Sequence, residues 1–461
     1  MTGLSLTYSV MTEYTSFVAV DERVINPGGV NRQINVAVPL PEGVTTAALP
    51  MLSSEQVQAM GCEEAIADSE IDGAFMAIGV GGGSVGMFGS RSGGGRKRVV
   101  SKGGGSVASE SAFDAALRFL KKHQAADGRW DPLSYQENCT ETPKCEAGVG
   151  GADDTIVLTA QATLVFLGAG YDHVTPNRYK AVVAKALSWI QTQQKPDGSF
   201  GTTVEATACA TQALAEVFGL TSDSALLVPT QHAVNRLLAM RLPGGDHQPL
   251  AWGTPAGFQT ADTTRAVMAL KSAFAAGLSV GDGLERATSW LELAWRAANP
   301  GWAKPEHLNS SEFPAQWSTS SGASGSEVEA GAVCAVLLGR KGGDPLLDSL
   351  AATIAALKPE VRQNDLRRLQ LSSLALFQLG GDAWKAWNIS TRDLLTTSQH
   401  KGDGCLDASW DPQTQVGLGC QRGRLASILH AAFILEIYYA SAAVGAGPPA
   451  PVAQPPGGVS R

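Results

Sequence analysis

The fold of this chain is decided by the stretch Ala116-Leu-Arg-Phe-Leu-Lys-Lys-His-Gln-Ala-Ala-Asp-Gly-Arg-Trp130. It recurs as Ala186-Leu-Ser-Trp-Ile-Gln-Thr-Gln-Gln-Lys-Pro-Asp-Gly-Ser-Phe200. In both copies an apolar helix ends at a Gln, Asp-Gly follows, and an aromatic residue stands two positions beyond the Gly. Asp-Gly tolerates a left-handed turn, and the aromatic ring can then cover the helix end. Recurrence after about 70 residues predicts stacked helix pairs that bury their apolar faces against one another.

The shared pattern resembles the QW motif of squalene cyclases and protein prenyltransferases. Two further segments are similar to bacterial prenyltransferase/squalene-oxidase-repeat proteins: Leu164-Val-Phe-Leu-Gly-Ala-Gly-Tyr171 and Arg265-Ala-Val-Met-Ala-Leu-Lys-Ser-Ala273. The resemblance covers residues 109–441. It implies a mainly α fold, an α6/α6 toroid in which helices ending in the Gln motif lie outside and the following helices lie inside. It says little about chemistry.

Helical periodicity from Ser109 onward predicts twelve helices, the number that a closed toroid of six pairs needs. The first begins at a capping box, Ser111-Ala-Phe-Asp114. The others are expected near residues 153–170, 176–193, 204–219, 229–241, 262–277, 283–297, 326–340, 344–357, 363–380, 387–399 and 422–441. The third to fifth repeats lack the complete Gln motif, and the last keeps it with one insertion.

The remaining segments differ in composition. Residues 1–48 predict a β-strand fragment similar to the tail that follows the von Willebrand A domain in bacterial VIT/VWA proteins. Because so few strands are marginal alone, we expect an internal start at Met1, an upstream VIT/VWA region, or a partner chain. Residues 49–108 predict a polar helix and a Gly-rich flexible linker, and residues 442–461 a disordered Pro/Gly tail.

Charge and hydropathy exclude two classes of partner. The chain has 35 basic and 43 acidic residues, a formal charge of −8, which does not favour the phosphates of nucleic acid. No uncharged apolar run is long enough to span a bilayer. No signal peptide opens the chain at Met1.

The sharpest candidate for chemistry is Gly151-Ala-Asp-Asp-Thr155. Squalene-type cyclases protonate their substrate with Asp-x-Asp-Asp, and Asp153 and Asp154 match its last two positions, while Gly151 replaces the first. The alternative is that both carboxylates cap a helix N-terminus. Capping is the favoured interpretation, since cyclases also need an aromatic cage for carbocations and aromatic residues make up only 7% of the chain.

Inner helices of such a toroid would begin at one common mouth. The charged residues predicted there are Glu205, Asp262, Glu327, Asp365, Arg422 and Arg424. They would form an acidic rim with one basic sector, able to attract a cationic peptide. Ordinary capping of helix N-termini is again the simpler interpretation.

The cysteines allow three interpretations: a zinc site, a pair of disulfides, or free and structural thiols. Protein prenyltransferases hold zinc through Asp-x-Cys and a downstream His, which Asp403, Cys405 and His430 resemble at a shorter spacing. The favoured alternative is a pair of disulfides, Cys139–Cys145 and Cys405–Cys420, each closing a short loop. Paired loops favour an extracytoplasmic location, periplasmic or at the cell surface; the cytoplasm is the alternative.

The sequence therefore predicts a non-catalytic toroid, without a cofactor, that binds a peptide, glycan or apolar ligand in its central cavity. The alternative is a terpenoid cyclase-like or prenyltransferase-like enzyme that acts on an isoprenoid. Because one fold serves many functions, the ligand stays open at this point.

Overall fold

The computed structural model describes residues 91, 100, 103–243, 249–254, 257–298, 327–357, 359, 366–412 and 422–440. These residues belong to one compact unit, Asp72–Arg461. Within them the chain forms the twelve predicted helices. They are α1 (Val107–Lys122), α2 (Ala152–Gly168), α3 (Lys180–Thr192), α4 (Val204–Thr221), α5 (Ser224–Ala239), α6 (Thr260–Ala275), α7 (Gly283–Ala298), α8 (Glu327–Leu337), α9 (Pro345–Ala355), α10 (Leu366–Leu379), α11 (Gly381–Ser398) and α12 (Gly423–Leu435), followed by the short α13 (Ile437–Ala440). The segments 1–48 and 442–461, and most of 49–108, lie outside the described residues.

The helices form the α/α toroid that the sequence predicts. Each even-numbered helix from α2 to α12 contacts the next even-numbered helix, and α12 returns to contact α2, so the inner ring closes. The odd-numbered helices pack around it against their inner neighbours. Burial follows the same division: α2 is buried at every position from Thr155 to Gly168, while α1 buries one face. A helix that is apolar on all sides belongs in the interior.

The turn after α1 shows how the repeated motif ends a helix. Gly128 has φ +104°, and a Cβ there would lie 2.3 Å from a carbonyl oxygen of α3, so only glycine fits. The Gln124 side-chain amide donates to the carbonyls of Gly128 (2.9 Å) and of Val182 in α3 (3.0 Å). The Trp130 indole N–H donates to the Leu120 carbonyl (2.8 Å). The motif thus covers one helix end and ties it to the next outer helix.

The third repeat, which lacks the complete Gln motif, still keeps the aromatic residue that covers the helix end. Two short antiparallel hairpins follow α5: β1 (Leu242–Pro243) with β2 (Pro249–Ala251), and β3 (Gly253–Thr254) with β4 (Gly257–Phe258). Trp252 lies between them, and its indole N–H donates to the Leu237 carbonyl of α5 (2.7 Å). The aromatic cap therefore persists although the Gln-to-Gly spacing does not, since the hairpins bring the ring back to the helix end.

At the start of α1 the structure differs from the predicted flexible linker and from the predicted position of the capping box. Gly103 and Gly104 pack on the toroid: the Arg392 guanidinium donates to the Gly104 carbonyl (2.7 Å), and a Cβ on Gly103 would lie 2.5 Å from the Tyr438 ring. Glycine allows this approach because it has no side chain. This end of the Gly-rich segment is therefore not a free linker. The capping box is also earlier than predicted, at Ser106 and Ser109.

Membrane insertion finds no support among the helices. In the described part of the chain, none of them combines the length and apolar character that a bilayer span requires. The most apolar C-terminal segment, α12, is instead a buried member of the inner ring.

Candidate functional site

The inner ring encloses a cavity of about 60 Å3 towards the C-terminal ends of its helices. All six inner helices contribute to its wall, which mixes apolar and charged side chains. The lining residues are Arg91, Leu164, Gly168, Gln212, Glu216, Arg265, Met268, Leu337, Gln370, Leu374, Phe433, Glu436 and Ile437. Phe433 is the one aromatic residue in this set. The volume accommodates a few water molecules.

An arginine from the N-terminal part of the chain lies in this cavity. The Arg91 guanidinium is 2.7 Å from Glu216 Oε2, and the two side chains are 2% and 4% exposed. The other Glu216 oxygen accepts from the Gln212 amide (3.1 Å) and the Ser272 hydroxyl (2.9 Å). The Glu436 carboxylate also lines the cavity. A buried carboxylate needs such partners, so this end of the ring is organised to hold a cation.

At the opposite end, Arg422 links Glu205, a carboxylate predicted at the rim, to Asp154. Its Nε donates to Asp154 Oδ1 (2.6 Å) and its terminal nitrogens donate to the Glu205 carboxylate (2.7 and 3.2 Å). Burial alone would raise the pKa of Glu205. The positive charge of Arg422, followed by those of Arg367 and Arg265, outweighs this effect, so the pKa is lowered. At this point the rim is thus an ion-pair network, because Arg422 of the basic sector contacts carboxylates of the acidic sector.

The other residues expected at the rim are placed as follows. Arg424 donates to the Glu146 carboxylate (2.9 Å), on the loop between α1 and α2. Asp262 lies half-buried in the first turn of α6. The side chain of Glu327 and the whole of Asp365 lie outside the described residues.

Asp153 and Asp154 both cap helices. The Asp154 carboxylate accepts from the backbone N–H of Gly151 (2.8 Å) at the start of its own helix. Asp153 reaches the next inner helix, where it accepts from the backbone N–H groups of Thr202 and Thr203 (both 2.9 Å). Burial tends to raise the pKa of Asp153, but these hydrogen bonds outweigh it and lower the pKa. A carboxyl held in its ionised form is poorly suited to protonate an alkene.

Between the two ends the interior carries neutral and basic side chains. His430 is 4% exposed, and its Nδ1 lies 2.6 Å from Gln370 Oε1, so Nδ1–H donates there. Burial, followed by the charges of Arg367, Arg265 and Arg422, lowers the pKa of His430 well below its ordinary value. The imidazole is therefore neutral and faces a positive interior, which does not suit a bound metal cation.

The set Asp403, Cys405 and His430 is accordingly not brought together. Asp403 pairs with His400 (2.8 Å), while His430 turns to Gln370 inside the ring. Among the described residues, the metal-ligand atoms that converge belong to other residues: His123, Cys139 and Cys145, all buried, lie with these atoms within 4.8 Å of one another. The sequence does not predict His123 here, although the Cys-x5-Cys spacing of its two partners is a usable signal.

The structure describes three of the four cysteines of the predicted disulfides. Cys139 and Cys145 are free thiols in the structure, and the Cys145 backbone N–H donates to Cys139 Sγ (3.4 Å). Cys405 is a free thiol as well. Its expected partner, Cys420, lies outside the described residues. The extracytoplasmic location, which was argued from two paired loops, stays a prediction.

Comparison with known proteins yields relatives in fold only. No family model matches the chain, and neither does any curated protein. The chain is similar in structure to the type II terpene cyclase MstE from Scytonema, in complex with geranylgeranyl dihydroxybenzoate (TM-score 0.43, 13% identity, 73% of this chain and 98% of that chain). A complex of the same cyclase with merosterolic acid A gives a TM-score of 0.45 at 13% identity and the same coverage. Endoglucanase CelQ from Clostridium thermocellum, with cellotriose, gives 0.40 at 10% identity, over 72% of this chain and 70% of that chain. We draw no functional argument from similarities of this size.

Proposed function

We propose that this protein is a non-catalytic binding toroid whose central cavity holds a basic side chain of a peptide ligand. The observation that carries the proposal is the contact of Arg91 with Glu216 inside the ring, at 2.7 Å. Arg91 there occupies the position that a ligand arginine would take. The net charge of −8 favours the approach of a cationic partner.

The cavity has the chemistry that arginine recognition needs. Glu216 is held in place by Gln212 and Ser272, so its second oxygen is directed at the guanidinium without a search over rotamers. Leu164, Met268 and other apolar side chains of the wall suit the methylene stem of the ligand residue. A carboxylate that anchors a guanidinium in a dry site makes a charge-assisted bond, which is stronger than a neutral one.

The size of the cavity favours a side chain over a larger ligand. Sites for drug-sized molecules occupy roughly 300–1,000 Å3, whereas this cavity has about 60 Å3 with Arg91 in it. An isoprenoid of cyclase-substrate size would need the inner ring to open. A peptide needs only to replace Arg91.

The alternative, a terpenoid cyclase or prenyltransferase, has less support. Its acid catalyst would be Asp153, whose carboxylate instead accepts hydrogen bonds from Thr202 and Thr203. Its carbocation would need several aromatic faces, and Phe433 is the aromatic residue that lines the cavity. Among the described residues, the contacts of Asp153 and the lining of the cavity therefore favour binding over cyclisation.

The proposal is tested by competition between Arg91 and a free peptide. A fluorescent peptide with the sequence of residues 87–96 is titrated into the full-length wild type and into Arg91→Ala, and anisotropy is read. The tethered arginine competes at high effective concentration, so we expect Arg91→Ala to bind at least about tenfold more tightly. Adding Glu216→Gln should reverse this gain, because it removes a charge-assisted bond worth roughly tenfold or more.

Two controls make the result specific. The same peptide with alanine in place of its central arginine should not bind. Glu285→Gln, an exposed change on the outer helix α7, should leave binding unchanged. Equal affinity of wild type and Arg91→Ala, or binding that ignores Glu216→Gln, would refute the proposed function.

A further inference from the structure

A cluster of sulfur and nitrogen atoms lies where the first and last repeats of the toroid meet, away from the central cavity. His123 follows the end of α1, Cys139 and Cys145 flank the loop before α2, and Cys405 belongs to the turn after α11. The four residues are between 0% and 5% exposed. Buried thiols of this kind are usually isolated among apolar neighbours; three of them beside an imidazole are not explained by packing.

The distances in the cluster are those of metal ligands. His123 Nε2 lies 3.3 Å from Cys139 Sγ and 3.6 Å from Cys145 Sγ. A tetrahedral Zn2+ with a Zn–S bond of about 2.3 Å and a Zn–N bond of about 2.0 Å holds nitrogen and sulfur about 3.5 Å apart. The two nitrogen–sulfur distances thus already match two edges of such a tetrahedron.

Cys405 supplies a fourth ligand at the edge of this face. Its thiol lies within hydrogen-bonding reach of the Cys139 thiol. The turn that carries it is fixed to the loop between Cys139 and Cys145: the Cys405 backbone N–H donates to the Pro143 carbonyl (3.1 Å), and the Cys145 thiol donates to the Cys405 carbonyl (3.4 Å). The turn that carries the fourth sulfur is therefore held against the loop of the other two cysteines.

Hydrogen bonds from neighbouring groups orient the ligand atoms of the cluster. His123 Nδ1 lies 2.9 Å from the Phe119 carbonyl, so Nδ1 carries the proton and Nε2 directs its lone pair at the sulfurs. Backbone N–H groups donate to two of the sulfurs, from Cys145 to Cys139 (3.4 Å) and from Glu141 to Cys405 (3.2 Å). Such bonds orient thiolates in a metal site.

Two positively charged side chains lie around the cluster. Zn2+ with three thiolates carries one net negative charge, which is costly to bury without compensation. The Lys122 ammonium is in hydrogen-bonding contact with Cys405, and the Arg424 guanidinium acts electrostatically on Cys145. The surroundings therefore balance a tri-thiolate zinc centre.

We propose that His123, Cys139, Cys145 and Cys405 bind one structural Zn2+ ion that joins the first repeat of the toroid to the last. Thiolate and imidazole are the ligands zinc prefers, and four protein ligands leave no open position for catalysis. The ion would connect residues 139 and 405, which are far apart in sequence. A clip that closes so long a loop removes much of the entropy of the unfolded chain.

The test is the metal content of the full-length chain, purified under reducing conditions without a metal-affinity step. Inductively coupled plasma mass spectrometry should find about one zinc ion per chain. After chelation, added Co2+ should give the thiolate charge-transfer and tetrahedral d–d bands in the absorption spectrum. Cys145→Ser and Cys405→Ser should each lose most of the zinc, while Cys334→Ser, a buried thiol of α8 outside the cluster, should keep it.

Variants that fail to fold do not obscure the answer, because the wild type alone decides it. Wild-type protein without zinc that takes up no Co2+ would overturn the proposal, and so would a Cys139–Cys145 disulfide found in its unreduced peptides. Zinc retained at full occupancy in folded Cys145→Ser would place the ion elsewhere and would equally refute this site.

Discussion

The side-chain amide of Gln399 donates to the Ala112 backbone carbonyl at 2.9 Å and thereby joins the end of α11 to α1. Gln124 makes the equivalent bond to Val182, and Gln194 to Pro229, each reaching the next outer helix in the ring. In the last repeat the next outer helix is the first one. The motif that links neighbours along the chain therefore also closes the circle.

Loss of this closing bond should destabilise the whole toroid. Gln399→Ala leaves the buried carbonyls of Ala112 and Ala408 without their donor, so we expect the free energy of unfolding to fall by about 2 kcal/mol. Urea-induced unfolding followed by circular dichroism measures it. Gln191→Ala, an exposed glutamine on α3, is the matched control and should change little. Similar stability of both variants would contradict the ring-closing role.

Breaking the ion pair between Arg422 and Glu205 should lower the free energy of unfolding more than Gln399→Ala does. Arg422→Met leaves Glu205 buried without its main counter-charge, and we expect a loss of about 3 kcal/mol in the free energy of unfolding. Adding Glu205→Gln removes the uncompensated charge and should recover part of this loss. A double-mutant cycle by urea unfolding reports the coupling. If the two effects simply add, the pair does not act as a unit.

The cap provided by Asp153 should depend on pH. The pKa of Asp153 is lower in the folded state than the ordinary 3.8, so its stabilising effect is present above that value and is lost as the pH falls through the folded pKa. Asp153→Ala should therefore cost about 1 kcal/mol at neutral pH, and less under acid conditions. Asp153→Asn, which also caps, should cost less. A difference between wild type and Asp153→Ala that is constant with pH would argue against an ionised cap.

Asp153 also allows a test of whether the protein is a binding protein or an enzyme. We expect the purified wild type to form no cyclic product from squalene or a shorter polyprene. Asp153 lies in a hydrogen-bonded cap, and Phe433 is the one aromatic ring that the described residues contribute to the cavity wall. Gas chromatography with mass spectrometry gives the measurement. A cyclised terpene that disappears in Asp153→Asn at unchanged stability would show that the protein is an enzyme.

The sequence by itself determined the twelve helices and their order, and its resemblance to a toroid family implied which of them lie inside. Helices and their ends are local properties: the apolar period marks each helix, and Asp-Gly after Gln124 and Gln194 fixes where the outer helices stop. Even the role of the aromatic residue as a cover for the helix end follows from its position beside the turn.

Only the tertiary structure decided what the charged and sulfur-containing side chains do. Asp154 and Arg422, or Cys139 and Cys405, are hundreds of positions apart, and a periodic pattern carries no information on which of them meet when the ring closes. For the same reason the sequence could not show that His123 meets Cys139 and Cys145. Closure brings the first and last repeats together, and with them the atoms on which both the rim network and the proposed zinc site depend.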